Sequence, residues 1–274
     1  RDVPPLGLGF WRVMGPAILL TPIYGRELYV NRAVVARHWK VLSILGFCMS
    51  VLGGSALYLG VSLTTAMNGG VVMTSQTAVM AVMGWLFFRD QINTRQGIGL
   101  VIAAVGVLVV VARGDVAILL GLHLQIGDLL VFAAILGYSA YVVLLRSTPS
   151  ELSPFSRLCA VSWFGALFAA PLYVWEIIYV EPFPYTLDSM AMILWISFAV
   201  SILAVGFMTI GTLAVGSYIS SMFFYVRTVF IAALAILVLG ENIALYHVAG
   251  VVLIFAGIYL MTARRRQVAA QPPA

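Results

Sequence analysis

The chain has 274 residues, of which 62% are hydrophobic and 9% are charged, and its formal net charge is +5. A soluble domain carries about 25% charged residues, so this chain has too little polar surface to cover a water-facing globule. Two cysteines are too few for a secreted disulfide scaffold, and the same composition excludes a disordered chain, a coiled coil and a nucleic-acid-binding domain.

Nine stretches are apolar enough to cross a bilayer as helices, each of which takes about 20 mostly apolar residues. In chain order they are 6–21, 40–60, 67–88, 96–112, 126–145, 158–179, 189–209, 217–239 and 246–263. The predicted fold class is therefore an all-α membrane protein with nine transmembrane helices joined by short connections.

The basic residues in the loops predict how the helices are oriented, because Lys and Arg concentrate on the cytoplasmic side. One side carries Arg26, Arg32, Arg37, Lys40, Arg89, Arg95, Arg146, Arg157, Arg264, Arg265 and Arg266. The other side carries only Arg1 and Arg113. We therefore predict a multi-pass protein of the cell (inner) membrane with a cytoplasmic C-terminus. Because Arg1 falls on the outer side directly before a span, we also expect an upstream helix, which makes ten helices in the full protein.

An internal repeat is visible at an offset of 151 residues. Five residues recur unchanged at this distance, namely Gly60, Thr77, Ile92, Gly99 and Gly106. Asp90 and Glu241 are equivalent acidic positions, and Pro16 and Pro171 are related at an offset of 155. The repeat unit contains five helices, an odd number, so the second copy is inverted. Inverted repeats place a transporter's substrate site near the bilayer midplane, and chance matches between glycines are the alternative interpretation.

Three segments resemble the EamA-type drug/metabolite transporter family. They are 2–6 (DVPPL) leading to 10–12 (FWR), the acidic positions Asp90 and Glu241, and 127–130 (GDLL) at the start of the span 126–145. The resemblance implies ten helices in two inverted five-helix halves, here 1–112 without its first helix and 126–266. Thr77 and Thr228 stand where the family commonly has a proline. Among the relatives, aromatic amino-acid exporters are the nearest by resemblance.

Arg227 is the first candidate for substrate binding, because an ionisable group at membrane depth is costly and therefore indicates function. It is the eleventh residue of the span 217–239, and its repeat partner Gln76 is also central in its span. The guanidinium can bind a substrate carboxylate with two parallel hydrogen bonds. Bonding to backbone carbonyls and snorkelling are the structural alternatives.

Further polar and aromatic residues complete the predicted cavity. Thr77 lies beside Gln76, and Tyr225 and Thr228 share one face of the span 217–239. Tyr138 and Trp163 are expected to form the apolar wall. Interhelical hydrogen bonds and core packing are the alternative roles of these side chains.

Three other residues are predicted to be structural or to take part in gating: Arg12, Pro16 and Pro171. Glycines recur every seven residues at Gly46, Gly53 and Gly60, at Gly99 and Gly106, and at Gly250 and Gly257. Small residues let helices approach closely, so these positions are predicted to be packing contacts.

Several classes of chemistry lack their sequence signature. No Asp or Glu lies in the middle of a predicted span, so strong proton coupling has no obvious carrier. No G-x-x-x-x-G-K-[ST] phosphate loop occurs, and three scattered histidines give no metal set. The chain is therefore predicted not to be an enzyme and to use no cofactor or metal.

These observations predict a secondary transporter that exports small metabolites, above all amino acids with aromatic or large apolar side chains. It would work by alternating access at a midplane cavity. A multidrug or phosphate-ester transporter of the same superfamily and a non-transporting membrane assembly protein are the alternatives. The expected partners are a small-molecule substrate and the lipid bilayer, and the expected state is a monomer or a weak homodimer.

Overall fold

In a computed structural model, the described residues are 3–90, 93–115, 117, 121, 125–239 and 245–262, and every regular element among them is a helix. The helices are α1 (Pro5–Val30), α2 (Arg32–Arg37), α3 (Trp39–Ser62), α4 (Ala66–Thr74), α5 (Gln76–Phe88), α6 (Thr94–Val111), α7 (Ile126–Leu144), α8 (Pro154–Tyr179), α9 (Leu187–Val215), α10 (Ser217–Leu239) and α11 (Leu245–Thr262).

Eight helical segments among the described residues are long and apolar enough to cross a membrane, and α4 and α5 together form one of them. This confirms the all-α membrane class. The remaining predicted span, 217–239, corresponds to α10, in which Ile219–Phe230 is the apolar stretch found. The count of nine spans stays a prediction. Glu241 and 264–266, on which part of the repeat and orientation arguments depended, lie outside the described residues.

Two middle segments are π-helical, with a wider turn than the α-helix. They are Cys48–Ala56 in α3 and Ile196–Ala204 in α9, each nine residues long. Each begins nine residues after its helix starts, at Trp39 and Leu187. Such π segments occur frequently at functional sites.

The first helix extends beyond its predicted end. The span was expected to finish at residue 21, where hydropathy falls ahead of Arg26 and Glu27, but α1 continues to Val30. The helix can contain Glu27 because the carboxylate of this residue accepts hydrogen bonds from the backbone N–H of Ser153, at 2.7 Å, and from the hydroxyl of Ser156. A hydropathy scale assigns an ionised group the full free energy of leaving water and takes no account of hydrogen-bond partners that lower it.

Contacts between Cα atoms divide the chain into two compact units. Unit 1 comprises Arg1–Gly69 and Leu124–Ser217, and unit 2 comprises Gly70–His123 and Tyr218–Ala274. Each unit draws helices from both predicted repeat halves, 1–112 and 126–266.

In unit 1, α1 and α8 have the same length and the same landmarks. Both have 26 residues and begin with a proline. At an offset of 149 residues, Pro22 matches Pro171 and Glu27 matches Glu176. The helix bounds therefore align Pro171 with Pro22, and not with Pro16 as the offset of 155 suggested.

The two helices run antiparallel and cap each other. Glu176, near the end of α8, accepts hydrogen bonds from the backbone N–H groups of Leu6 and Gly7 at 2.9 and 2.6 Å. Glu27, near the end of α1, accepts from Ser153 and Ser156 at the start of α8. A carboxylate at a helix N-terminus satisfies N–H groups that have no partner within the helix, and the helix dipole favours its charge.

In unit 2, α6 and α11 meet at glycines. A Cβ atom built on Gly257 would lie 2.5 Å from the carbonyl oxygen of Gly99, and one on Gly99 would lie 2.6 Å from that of Gly257. Gly106 and Gly250 face each other in the same reciprocal way, at 2.8 and 2.9 Å. In unit 1, Gly60 approaches Gly127 and Gly46 approaches Gly165 at similar distances. The predicted packing role of the glycine series is confirmed.

Gly257→Leu is expected to destabilise unit 2 by about 1–3 kcal/mol, the usual cost of overpacking, because the new side chain meets backbone atoms of α6. Gly97→Ala on α6 is the matched control, since nothing lies within 4 Å of a Cβ atom built there. Loss of helical circular dichroism on heating in detergent measures both variants. Equal stability of Gly257→Leu and the unchanged protein would contradict this packing.

Candidate functional site

The predicted site residues fall in both units, and each unit is described by itself. Unit 2 contains Gln76, Thr77, Tyr225, Arg227 and Thr228, whereas unit 1 contains Arg12, Pro16, Tyr138, Trp163 and Pro171.

In unit 2, the polar residues of α4 and α5 coincide with an interruption in the helix. α4 ends at Thr74 and α5 begins at Gln76. The hydroxyls of Thr74 and Ser75 donate to the carbonyl oxygens of Val71 and Val72, at 2.7 and 2.8 Å. Such bonds from a side chain back to its own helix accompany bends. The helix is therefore interrupted between α4 and α5 at Thr74 and Ser75. The interruption occurs without the proline that is common in the family, because Thr77 stands at that position.

Gln76 and Thr77 are both buried at the start of α5. The hydroxyl of Thr77 donates to the carbonyl oxygen of Ser221 on α10, at 3.2 Å. This bond joins α5 to α10 within unit 2. Its acceptor, Ser221, is six residues before Arg227 in the chain.

Arg227 and Tyr225 differ in their surroundings. Tyr225 is only 2% exposed, its hydroxyl donates to the carbonyl oxygen of Leu100 at 3.4 Å, and its ring belongs to the apolar core with Ile254. Arg227 is exposed, and its guanidinium carbon lies 5.6 Å from the centroid of the Phe224 ring, a cation–π geometry. The packing of unit 2 thus leaves the cation accessible in the middle of α10, with Thr228 half-buried beside it.

In unit 1, Tyr138 belongs to a group of aromatic and polar side chains. Its ring centroid lies 5.8 Å from that of Tyr141, which is fully buried and shares a 3.2 Å hydrogen bond with the hydroxyl of Thr209. Arg12, on α1 of the same unit, is half-buried. Sequence reasoning missed Thr209, which closes the predicted span 189–209, because α9 continues to Val215 and places it inside the helix.

Trp163 lies on the surface of unit 1 and is 43% exposed. Its indole N–H donates to the hydroxyl of Thr21 at 2.9 Å, which joins α8 to α1 directly before Pro22. Pro16 is buried in α1, and Pro171 is exposed in α8. The predicted substrate-binding role of Trp163 remains a prediction.

Asp128 forms a polar cluster at the start of α7 that the sequence did not single out as a site. It is 3% exposed and accepts hydrogen bonds from the Thr64 hydroxyl at 2.5 Å, the Asn68 amide at 3.0 Å and the Gln125 backbone N–H at 2.8 Å. The carboxylate thereby ties the linker after α3 to α7. Its donors satisfy the charge locally, which gives Asp128 a structural role.

In the part of the chain that the structure describes, no three His, Cys, Asp or Glu side chains lie close enough to hold a metal ion.

Comparison with known proteins identifies relatives along nearly the whole chain. The model of the EamA-like transporter family matches residues 1–112 and 125–263. The uncharacterized transporter YetK of Bacillus subtilis (strain 168) is 24% identical over 237 residues, which cover 85% of this chain and 71% of that protein. YyaM, an uncharacterized transporter of the same organism, is 26% identical over 227 residues, 80% of this chain and 70% of that protein.

A protein of known crystal structure has the same fold. The TM-score is 0.70 at 16% sequence identity, and the match covers 95% of this chain and 88% of that one.

Proposed function

This chain belongs to the EamA-like transporter family, and we propose that it exports amino acids with aromatic or large apolar side chains. The chain is a multi-pass membrane transporter, as its family and the eight apolar helical segments among its described residues indicate. The substrate class, the alternating-access mechanism, the inner-membrane location and the cytoplasmic C-terminus belong to the proposal.

The observation that carries the substrate class is the position of Arg227. Arg227 has an exposed guanidinium at the eleventh residue of the 23-residue helix α10. In the predicted span this position is at membrane depth, where an ionisable group indicates function. An amino acid offers a carboxylate that can accept two parallel hydrogen bonds from it. Gln76, buried in the same unit, is the second polar candidate for the substrate's polar end. The face of Phe224 beside the guanidinium supplies apolar surface.

The remaining predicted contacts are part of the same proposal. Thr77 and Thr228 extend the polar surface of unit 2, and Tyr225 supports it from the core. For unit 1 we propose that Tyr138 contacts the apolar body of the substrate at a stage of the transport cycle. Arg12, Pro16 and Pro171 are proposed to have gating or structural roles. For the two prolines the reason is that a proline inside a helix removes a backbone hydrogen bond and permits bending.

Alternating access between two inverted repeats is supported by three symmetric features. The related helices α1 and α8 run antiparallel, as inversion requires, and carry Pro and Glu in the same register. The π segments of α3 and α9 have equal length and position. An offset of 151 residues converts the contact of Gly99 with Gly257 into that of Gly250 with Gly106. Inverted repeats of this kind are a common architecture of secondary transporters.

Counterflow in proteoliposomes tests the substrate class. Vesicles containing the purified protein are preloaded with unlabelled amino acid, and uptake of labelled tryptophan, phenylalanine and alanine is followed with and without a pH gradient. We expect saturable counterflow, faster for the two aromatic amino acids than for alanine and unchanged by the gradient. Protein-free vesicles are the control.

Other outcomes of the counterflow assay favour the alternatives. Counterflow of phosphate esters or of lipophilic cations, without counterflow of amino acids, would replace the proposed substrate class. A protein that supports no counterflow of any of these compounds would fit a membrane assembly role.

A further inference from the structure

A groove runs along the surface of unit 1 where α1 ends, α2 follows and α8 passes beside them. Its volume is about 340 Å³, within the range of roughly 300–1,000 Å³ found for ligand pockets. The walls are apolar, and the one charged residue among them is Arg32. The lining includes Leu28, Val35, Ala36, Trp163 and Phe164.

The groove opens beside a concentration of positive charge. Arg26, Arg32, Arg37 and Lys40 are all exposed and fall within 15 consecutive residues. The only acidic residue in that segment, Glu27, directs its carboxylate to Ser153 and Ser156. The segment therefore presents a surplus of cations to its surroundings.

This region has exposed aromatic side chains of the kind found at the membrane–water interface. Tyr29 and Trp39 are 69% and 53% exposed, and Trp39 lines the groove. Tyr and Trp concentrate at the depth of the lipid headgroups. The guanidinium carbon of Arg32 lies 5.2 Å from the centroid of the Tyr29 ring, which holds the charge at the edge of the groove.

We propose that this groove binds one anionic glycerophospholipid, with an acyl chain along the apolar walls and the phosphate at Arg32. The two halves of the site match the two halves of such a lipid. The walls offer an acyl chain contact with both α1 and α8, and the guanidinium is a bidentate donor for phosphate oxygens. Basic pockets between membrane helices on the cytoplasmic side bind anionic headgroups elsewhere. The lipid joins α1, α2 and α8 on the outside of unit 1.

Native mass spectrometry of the purified protein in detergent tests this site with two probes, phosphatidylglycerol and phosphatidylcholine of identical acyl chains. The unchanged protein is expected to retain one phosphatidylglycerol in preference to phosphatidylcholine. Arg32→Gln should reduce that preference about fivefold, the effect of removing one cation near the headgroup. Arg95→Gln, which removes another exposed arginine at the start of α6, should leave it unchanged.

A second variant tests the apolar half of the groove. Ala36→Phe fills the groove from an exposed position and is expected to abolish retention of phosphatidylglycerol while leaving thermal stability in detergent unchanged. Equal retention of the two lipids by the unchanged protein would contradict the proposal. So would a loss in Arg95→Gln as large as that in Arg32→Gln, or full retention in Ala36→Phe.

Discussion

Replacing Arg227 with Ala is expected to lower amino-acid counterflow roughly 10- to 100-fold. The variant removes a charge-assisted hydrogen bond worth about 1.5–3 kcal/mol, and each 1.4 kcal/mol corresponds to about tenfold in affinity. The effect is expected to be large because α10 is predicted to span the membrane, which would put the guanidinium at a depth where water does not replace it as a donor. Initial rates of labelled phenylalanine counterflow in proteoliposomes with equal protein content measure the loss.

Two companion variants separate a binding role from a structural one. Arg227→Lys keeps the positive charge but loses the planar fork that holds a carboxylate in two places, and we expect an intermediate rate with a raised KM. Arg95 is an exposed arginine in the same unit, and the variant Arg95→Gln should transport at the rate of the unchanged protein. If Arg227→Ala and Gln76→Ala both leave counterflow unchanged, the proposed polar site is excluded.

Glu176→Ala is expected to destabilise unit 1 more than Glu27→Ala or Glu181→Ala does. Two buried N–H groups, those of Leu6 and Gly7, lose their acceptor, at about 1–3 kcal/mol for each unsatisfied group. No side chain replaces it, because the residue before α1 is Pro4, which provides no cap. Heating with a dye that fluoresces on reaction with a thiol reports unfolding, since Cys48 and Cys159 are free and buried in this unit.

The reciprocal cap provides a graded comparison. Glu27→Ala should cost less, because Ser153 itself caps α8 by accepting a hydrogen bond from the N–H of Ser156. Glu181→Ala removes an exposed carboxylate five residues after Glu176 and should change stability within about 0.5 kcal/mol. An unfolding temperature in Glu176→Ala equal to that in Glu181→Ala would refute the capping argument.

The helical class, most of the helix positions and the glycine contacts could be predicted because each depends on local composition. A run of about 20 apolar residues has few alternatives to a membrane helix. Glycines seven residues apart fall on one side of a helix, and the absence of side chains there lets another helix pack closely. Gly99 and Gly106 pack in this way against α11.

The capping roles of Glu27 and Glu176 could not be predicted from local composition, although a repeated sequence pattern marks both residues. The pattern Pro-x-Tyr-x-x-Glu occurs at 22–27 and again at 171–176, an offset of 149 residues. The later helices match at an offset of 151 and these two helices match at 149, because the connections between helices differ in length. Which N–H groups a glutamate accepts depends on the tertiary packing of α1 against α8.

Tyr225 illustrates a second limit of sequence reasoning. Its spacing of three residues from Thr228 placed it on a polar face of the helix. In the structure its ring packs in the core of unit 2, and only its hydroxyl needs a polar partner, the carbonyl oxygen of Leu100. A tyrosine combines an apolar ring with one hydrogen-bonding group, so periodicity alone does not distinguish a cavity wall from a core contact.

The most direct test of the central claim asks which end of the substrate the transporter recognises. Counterflow of labelled phenylalanine is measured in the presence of 3-phenylpropionate, which has the carboxylate but no amine, or phenethylamine, which has the amine but no carboxylate. If Arg227 holds the carboxylate, 3-phenylpropionate competes, phenethylamine does not, and the difference becomes smaller in Arg227→Lys, which keeps the charge but loses the planar fork. Competition by phenethylamine alone would show that the carboxylate is not recognised and would contradict the account.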